Sequence, residues 1–465
     1  MAGGRSRRAR RQAGRTRLTA RAPRIVAAVL VLAAALQLAA YWPGIMYWDA
    51  VRQYGQAVSG AFDDWHPPAM EWVWRQMIAL RPGPAPMLLL QAGLYWLGFA
   101  LLVARAQRRW LIVLVALLPF ALATLGSVLK DSLMAGALLA AAGLAAWAGR
   151  EGRWGLRIAA IALLLFAATL RFNALLAALP LLVAVLPAHW RRTPARWAVC
   201  TLVGGLALAV AMPLANHAIG AKPSGVALSL VIFDLGGITE HGSVDAFPPL
   251  PVASPVAVNH RCYDPVRWDS YAWWVAEPCP IGFALIRDTF AAHHQSPYVF
   301  WLEAIAAHPI AYAEHRLRHA NQNMRFVIGH EFERPVQPQS APNDWGYRIA
   351  QNPLQRALDW LAVQTCRTPL GWPICWIALA LGMVFASRGV PGMAMPLALS
   401  AALYGGGYLV LSVASDLRYH LWTMLAAGLA VAFLVDAGVP RRRLVLAALP
   451  AIGVALIGTA ARLLW

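Results

Sequence analysis

Charge is what this chain has least of. Only 13% of its 465 residues are charged, with 21 acidic residues against 40 basic ones, and lysine occurs just twice, at Lys130 and Lys222. Together with 59% hydrophobic residues and a mean hydropathy of +0.53, that shortage excludes an ordinary soluble domain of this length. No glycine-rich loop of the dinucleotide-binding or P-loop kind occurs, so a nucleotide phosphate has no sequence-encoded cradle. The His-Glu-x-x-His pattern of zinc hydrolases is missing as well.

What remains is a succession of long apolar runs. A helix needs roughly 20 residues to cross about 30 Å of hydrocarbon, and only helices and closed barrels satisfy their backbone groups there. The runs are too long and unbroken for barrel strands. The reading is an all-α polytopic membrane protein of about eleven transmembrane helices, near 25–43, 86–104, 110–128, 132–148, 157–170, 174–189, 197–217, 370–387, 391–413, 417–436 and 444–464. It divides into a basic tail (1–24), a first membrane part with seven spans (25–217), an extracytoplasmic insertion of mixed composition (218–369) and a second membrane part with four spans (370–465). An amphipathic external loop (44–85) follows the first span.

Arginine orients this layout. Residues 1–24 hold nine arginines and no acid, and further clusters fall at Arg105, Arg108 and Arg109, at Arg150, Arg153 and Arg157, at Arg191, Arg192 and Arg196, and at Arg441 to Arg443. All lie on one side if the first span runs outward, which makes that side cytoplasmic. The net charge of +19 is thus a topology signal of a bacterial inner-membrane protein, and nucleic acid is not implied as a partner. The N-terminal segment has the form of a signal sequence, read here as a retained anchor because Tyr41, Trp42 and Pro43 continue it as an interfacial belt. The stretch 218–369 is nearly neutral, with thirteen acidic and eleven basic residues, and reads as a folded external insertion with short helices, clearest over 297–330. In it Cys262 and Cys279 are placed to form a disulfide, with Cys366 and Cys375 as an alternative pair, while Cys200 reads as a core residue.

The polar residues that remain gather on the outward face. The first loop offers Tyr47-Trp48-Asp49 and Asp63-Asp64-Trp65-His66-Pro67-Pro68. Three outward turns add Lys130 and Asp131, then Arg171 and Asn173, then Asp416, Arg418 and Tyr419. Charges beside hydrocarbon are costly and usually pair or serve a ligand. Singly, each has a bland reading: a hydrophilic turn, a snorkelling arginine, a local ion pair. Jointly they favour an anion site, because outward turns should be poor in basic residues. Carboxylates facing cations suit transfer of a group from a phosphate-bearing lipid to a hydroxyl. His315 and His319, four apart on a helix with Glu314 and His308 nearby, offer a metal face but read better as a solvated or interfacial helix. Asp234 reads as an extension of the site or a helix cap. Trp268, Trp273 and Trp274 read as a sugar platform or a buried anchor.

This set, Trp48-Asp49, Asp64-Trp65-His66-Pro67-Pro68, Lys130-Asp131, Arg171-Phe172-Asn173 and Asp416-Leu417-Arg418-Tyr419, resembles the multi-span C-type glycosyltransferases that use polyprenyl-phosphate sugars. The resemblance covers the membrane region in layout and only short motifs in sequence. It implies an inverting transferase moving a sugar from a polyprenyl-phosphate donor to a glycan, lipid or protein acceptor at the outer face. Asp49 would be the catalytic base, and Lys130, Arg171 and Arg418 would surround the donor phosphate. His66, Asp64, Asp131, Asn173, Asp416 and Tyr419 would support them. Many members carry two adjacent acids after the first span, whereas here Asp49 is followed by Ala50, so the second acid is Asp63, Asp64 or Asp131, and a divalent metal stays open as cofactor. A transporter or flippase of lipid-linked saccharides and a non-enzymatic envelope-assembly protein are the competing readings.

Overall fold

In the computed structural model the described residues are 24–149, 153–329, 334–335 and 337–464. Most of the basic tail (1–23) and Arg150 lie outside them. Helix α1 (Arg24–Tyr41) leads through strand β1 (Ile45–Met46) into α2 (Trp48–Ser59) and α3 (Ala69–Ile78), which fold the first loop into a helical hairpin. Then come α4 (Ala85–Arg105), α5 (Arg109–Ala116), α6 (Pro119–Gly126), strand β2 (Ser127–Val128) and α7 (Lys130–Ala148). The first membrane half is completed by α8 (Trp154–Ala168), α9 (Ala174–Val185) and α10 (Pro194–Ile219). The insertion contributes α11 (Leu228–Gly242), α12 (Pro255–Cys262), α13 (Phe283–Ala292), α14 (Pro297–Ala307), α15 (Pro309–Asn323) and α16 (Pro353–Cys366). The second half is α17 (Pro373–Ala386), α18 (Ala394–Gly407), α19 (Leu421–Asp436) and α20 (Arg441–Leu464).

The protein is an all-α membrane protein, but not one of eleven spans. Among the described residues six helices are long and apolar enough to cross a membrane: α1, α4, α7, α10, α19 with the turn before it, and α20. A seventh span exists if α5 and α6, bent by 50° to one another, are one. The apolar runs of the sequence exceed the helices they form. Run 110–128 breaks at Pro119, which lacks the N–H that would continue the helix. Runs 174–189 and 370–387 are shortened by Pro187 and Pro373, and run 391–413 ends its helix at Gly407. At 1.5 Å per residue, helices of 12 to 15 residues such as α8, α9, α17 and α18 reach only about 18–22 Å.

Helix α7 is the axis of the bundle, buried along nearly its whole length. It crosses α4 so closely that a Cβ on Gly98 would sit 2.5 Å from the Leu139 carbonyl carbon, which explains a small residue there. Strands β1 and β2 pair in parallel, Ile45 with Ser127 and Met46 with Val128. The pairing sets the first turns of α2 and α7 side by side. The other edge of β1 is closed by Ser340, whose Oγ accepts from the Met46 N–H at 3.0 Å, and by Ala341, whose N–H donates to the Met46 carbonyl at 2.8 Å.

The insertion has its own core around Phe233, Trp268, Tyr271 and Ile281, and a disulfide joins Cys262 to Cys279. It is stitched to both membrane halves. Residues Asp63 and Lys222 form one backbone bridge and Arg267 and Ala414 another, and α16 lies against α6 and the end of α1, where Tyr41 donates to Asp359 at 2.7 Å. Cys366 and Cys375 are not joined in a disulfide, and Cys200 is half-buried on the outer face of α10 rather than in the core.

Candidate functional site

A cavity of about 1330 Å³ opens at one end of the bundle, against the insertion. Asp49, His66, Lys130 and Arg171 line it, and so do Asn173, Asp416, Arg418 and Tyr419. Each charge arrives at the start of a helix. Asp49 lies in the first turn of α2, Lys130 and Asp131 in that of α7, Asn173 is the N-cap of α9, and Asp416 caps the 3-10 turn Leu417–His420 that leads into α19. Ala227, the N-cap of α11, is on the same wall. Helix N-termini carry partial positive charge and unpaired N–H groups, so their convergence gives the cavity a field that favours anions. The aspartates are the side chains that such N-termini prefer. The arginines are not explained that way.

Arg418 is the hub. Its Nη1 lies 2.9 Å from Asp49 Oδ2 and 3.9 Å from Asp131 Oδ2, and its Nε donates to Asp416 Oδ2 at 2.7 Å. Arg171 pairs with the other oxygen of Asp131. Both guanidinium groups lie over aromatic rings, Arg171 at 4.4 Å from the centre of Tyr419 and Arg418 at 4.7 Å from that of Tyr47, so they are held by faces as well as charges. Three carboxylates and three cations thus share one nest. Lys130 and Asp131 are not in a hydrophilic turn, since both are buried in α7, and Arg171 is bound to a partner rather than snorkelling to headgroups.

Burial pushes the Asp49 carboxyl up, but the Arg418, His66 and Lys130 charges outweigh it and hold the group well below the usual carboxylate range. His66 is driven down to about 3, by burial first and then by the Lys130 ammonium. It is therefore neutral, and the 2.7 Å contact is a bond from Lys130 Nζ to His66 Nδ1. The ring proton then sits on Nε2, 3.9 Å from Asp49 Oδ1. His66 steers Lys130 and Asp49 and has no free nitrogen with which to take a proton. Asp416 is raised by burial.

Asp64 is placed apart from this nest. Its Oδ1 accepts from the Ser224 N–H and hydroxyl, both at 2.6 Å, and so ties the first loop to the insertion. Asp63 pairs with Arg52 at 2.6 Å. The donor set does not fit a divalent metal: the three carboxylates of the nest are occupied by Arg171 and Arg418, and no group of three or more His, Cys, Asp or Glu among the described residues could hold an ion. His315 and His319 are neither solvated nor paired in a metal face. Gly237 lets α15 approach α11 so closely that a Cβ there would meet His315 at 2.1 Å, and both histidines are fully buried. His315 Nε2 lies 3.1 Å from Asp234 Oδ1, Trp301 donates to Asp234 Oδ2 at 2.8 Å, and Arg316 completes the pair. Asp234 is thus mid-helix, neither a cap nor part of the cavity.

Sequence reading gave no role to two contributors. Tyr47 backs Arg418, and Tyr408 stacks in parallel on Tyr419 with centres 5.8 Å apart. Tyr47 adjoins Asp49 in sequence, but nothing in Gly405-Gly406-Gly407-Tyr408 signals a site. No protein-family model matches the chain, and no curated protein matches it.

Proposed function

We propose that the protein is an inverting glycosyltransferase that moves a sugar from a polyprenyl-phosphate donor to an acceptor hydroxyl in this cavity. The observation that carries the reading is the convergence of Asp49, Lys130, Arg171 and Arg418 on one cavity lined by helix N-termini. Apolar Phe172, Leu230 and Leu411 line the same cavity and offer a surface to a prenyl chain.

In this scheme the acceptor oxygen attacks the anomeric carbon, the bond from that carbon to the phosphate oxygen breaks, and polyprenyl phosphate leaves with the bonding pair. The acceptor proton passes to Asp49. A carboxylate clamped by Arg418 is ionised yet weakly basic. Donor phosphate competing for Arg418 and Arg171 loosens that clamp and returns Asp49 toward ordinary basicity, so the base becomes effective only with donor in place. The same cations meet the charge that grows on the leaving phosphate. Arg108, Arg157, Arg191 and Arg443 lie at the far ends of the helices that begin or end at the cavity, which supports placing the cavity on the extracytoplasmic face of a bacterial inner membrane.

The test is purified full-length protein in lipid with a labelled polyprenyl-phosphate hexose, comparing parent and Asp49→Asn. Sugar transfer or donor hydrolysis by the parent, lost in the variant, is expected. Donor that binds but is never turned over by the parent would instead mark a carrier of lipid-linked saccharides.

A further inference from the structure

The cavity does not end at the charged nest. Its opposite wall is built almost wholly from the loop that the Cys262–Cys279 disulfide closes, which supplies Arg267, Trp268, Asp269, Trp273, Trp274 and Glu277. Trp273 and Trp274 are 53% and 47% exposed although they sit in a cavity. They meet edge to face with centres 4.8 Å apart, and Trp65 meets them at 4.8 and 5.4 Å. Buried Trp268 stands behind, 5.4 Å from Trp274. The result is a rigid aromatic corner, rimmed by the carboxylates of Asp264, Asp269 and Glu277 and the guanidinium of Arg267, that no protein segment covers among the described residues.

From this geometry we infer a saccharide subsite: the disulfide-closed loop is the docking wall for a carbohydrate acceptor of the hexopyranoside class. An indole face takes the flat C–H face of a pyranose ring, and aromatic surface gains most from a partner that is apolar on one side and polar at its edge. Asp269 and Glu277 accept from sugar hydroxyls, while Arg267 donates to them. A quaternary ammonium would also suit these tryptophans and three acids, of which Asp264 lies 3.9 Å from Arg267, so choline is the competitor in the test that follows. The disulfide keeps the corner in shape without a helix or strand of its own, since residues 263–279 hold only a three-residue 3-10 turn, Asp269–Tyr271. The assignment rests on the transferase reading in so far as it calls the sugar an acceptor; the binding of a sugar here is independent of it.

Saturation-transfer NMR on the full chain in phospholipid nanodiscs tests this, with methyl β-glucopyranoside and methyl α-mannopyranoside as probes and choline chloride as a competitor. At least one glycoside should show transfer to the ring protons of one face. The signal should fall about tenfold in the Trp273→Ala/Trp274→Ala double variant, as loss of aromatic stacking predicts. Trp273→Phe, which keeps an aromatic face, should retain it and so separates loss of the corner from loss of fold. No transfer to either glycoside, transfer that survives the double variant, or a tryptophan-dependent signal from choline alone each overturns the proposal. Glycoside binding by a chain that never turns over polyprenyl-phosphate sugar would leave this subsite standing and end the transferase reading; turnover without glycoside binding would do the reverse.

Discussion

Asp49 and Asp234 are both carboxylates seated among arginine, histidine and tyrosine, and yet they serve different ends. Asp234 is fully buried, with one oxygen taken by Trp301 and the other by His315 and Arg316. Its neighbourhood runs on through the Tyr263 hydroxyl, 2.9 Å from His315, and through the bond from Arg316 Nη1 to the Ser412 carbonyl at 2.7 Å. Most of its bonding capacity is met by the protein itself, which makes it a clasp between α11 and α15. Asp49 keeps a 22% exposed side chain on a cavity, shares Arg418 with Asp131 and Asp416, and has His66 only at 3.9 Å. Buried charge by itself therefore does not mark a site. An incomplete partner set with an open path does.

The sharpest way to break this contrast is Asp234→Ala. It strands Arg316 in the insertion core, and removing one partner of a buried pair costs about 3–5 kcal/mol, read as a lower denaturation midpoint of the full chain. A variant as stable as its parent would erase the distinction drawn here. Arg418→Lys comes next. It keeps the charge but not the fork that spans Asp49 and Asp416, and transfer efficiency should fall roughly 10²–10³-fold, with stability affected far less. If instead the chain unfolded as readily as Asp234→Ala while transfer per folded molecule held, the nest would be a second clasp.

Serine at both Cys262 and Cys279 should cost about 3 kcal/mol for a loop of this length, seen as faster hydrogen exchange confined to residues 262–279. Unchanged exchange would mean that Trp65, Trp268 and Phe283 alone hold the wall. The smallest effect concerns Glu71, fully buried in α3 and pushed up to about 9 by burial first and then by Asp63. Its folded value lies above its unfolded one, so its contribution is fully present below about pH 4.5 and is lost as pH rises through 9. Glu71→Gln should leave the melting temperature unchanged near pH 4.5 and raise stability by on the order of 1–3 kcal/mol at pH 8. A pH-independent difference would show that Glu71 is ionised in the fold.

Much of the nest was legible beforehand because charge is so scarce. In a chain with two lysines and long apolar runs, a polar residue at the end of a run stands out, and the short turns force Arg171 and Arg418 to one end. The histidines of α15 misled for the same reason. On helical spacing alone His315 and His319 look like a solvated face, and only the closeness of α11 at Gly237 seals them. The span count failed because hydropathy sums residues without regard to where proline or glycine ends a helix, as at Pro119, Pro187 and Gly407.

By itself the sequence determined the membrane-embedded, all-helical character of the protein, since apolar composition and run length leave the backbone no other way to satisfy itself in hydrocarbon. It also determined which polar residues are candidates. The pairing of those residues was decided only by tertiary structure: that Arg418 holds Asp49, that Asp64 turns away to Ser224, and that Trp273 and Trp274 face a cavity instead of a core. Such choices depend on which helix ends meet and how closely, through features such as the two-residue β1–β2 pairing. Ångström distances between segments hundreds of residues apart leave no local pattern to read.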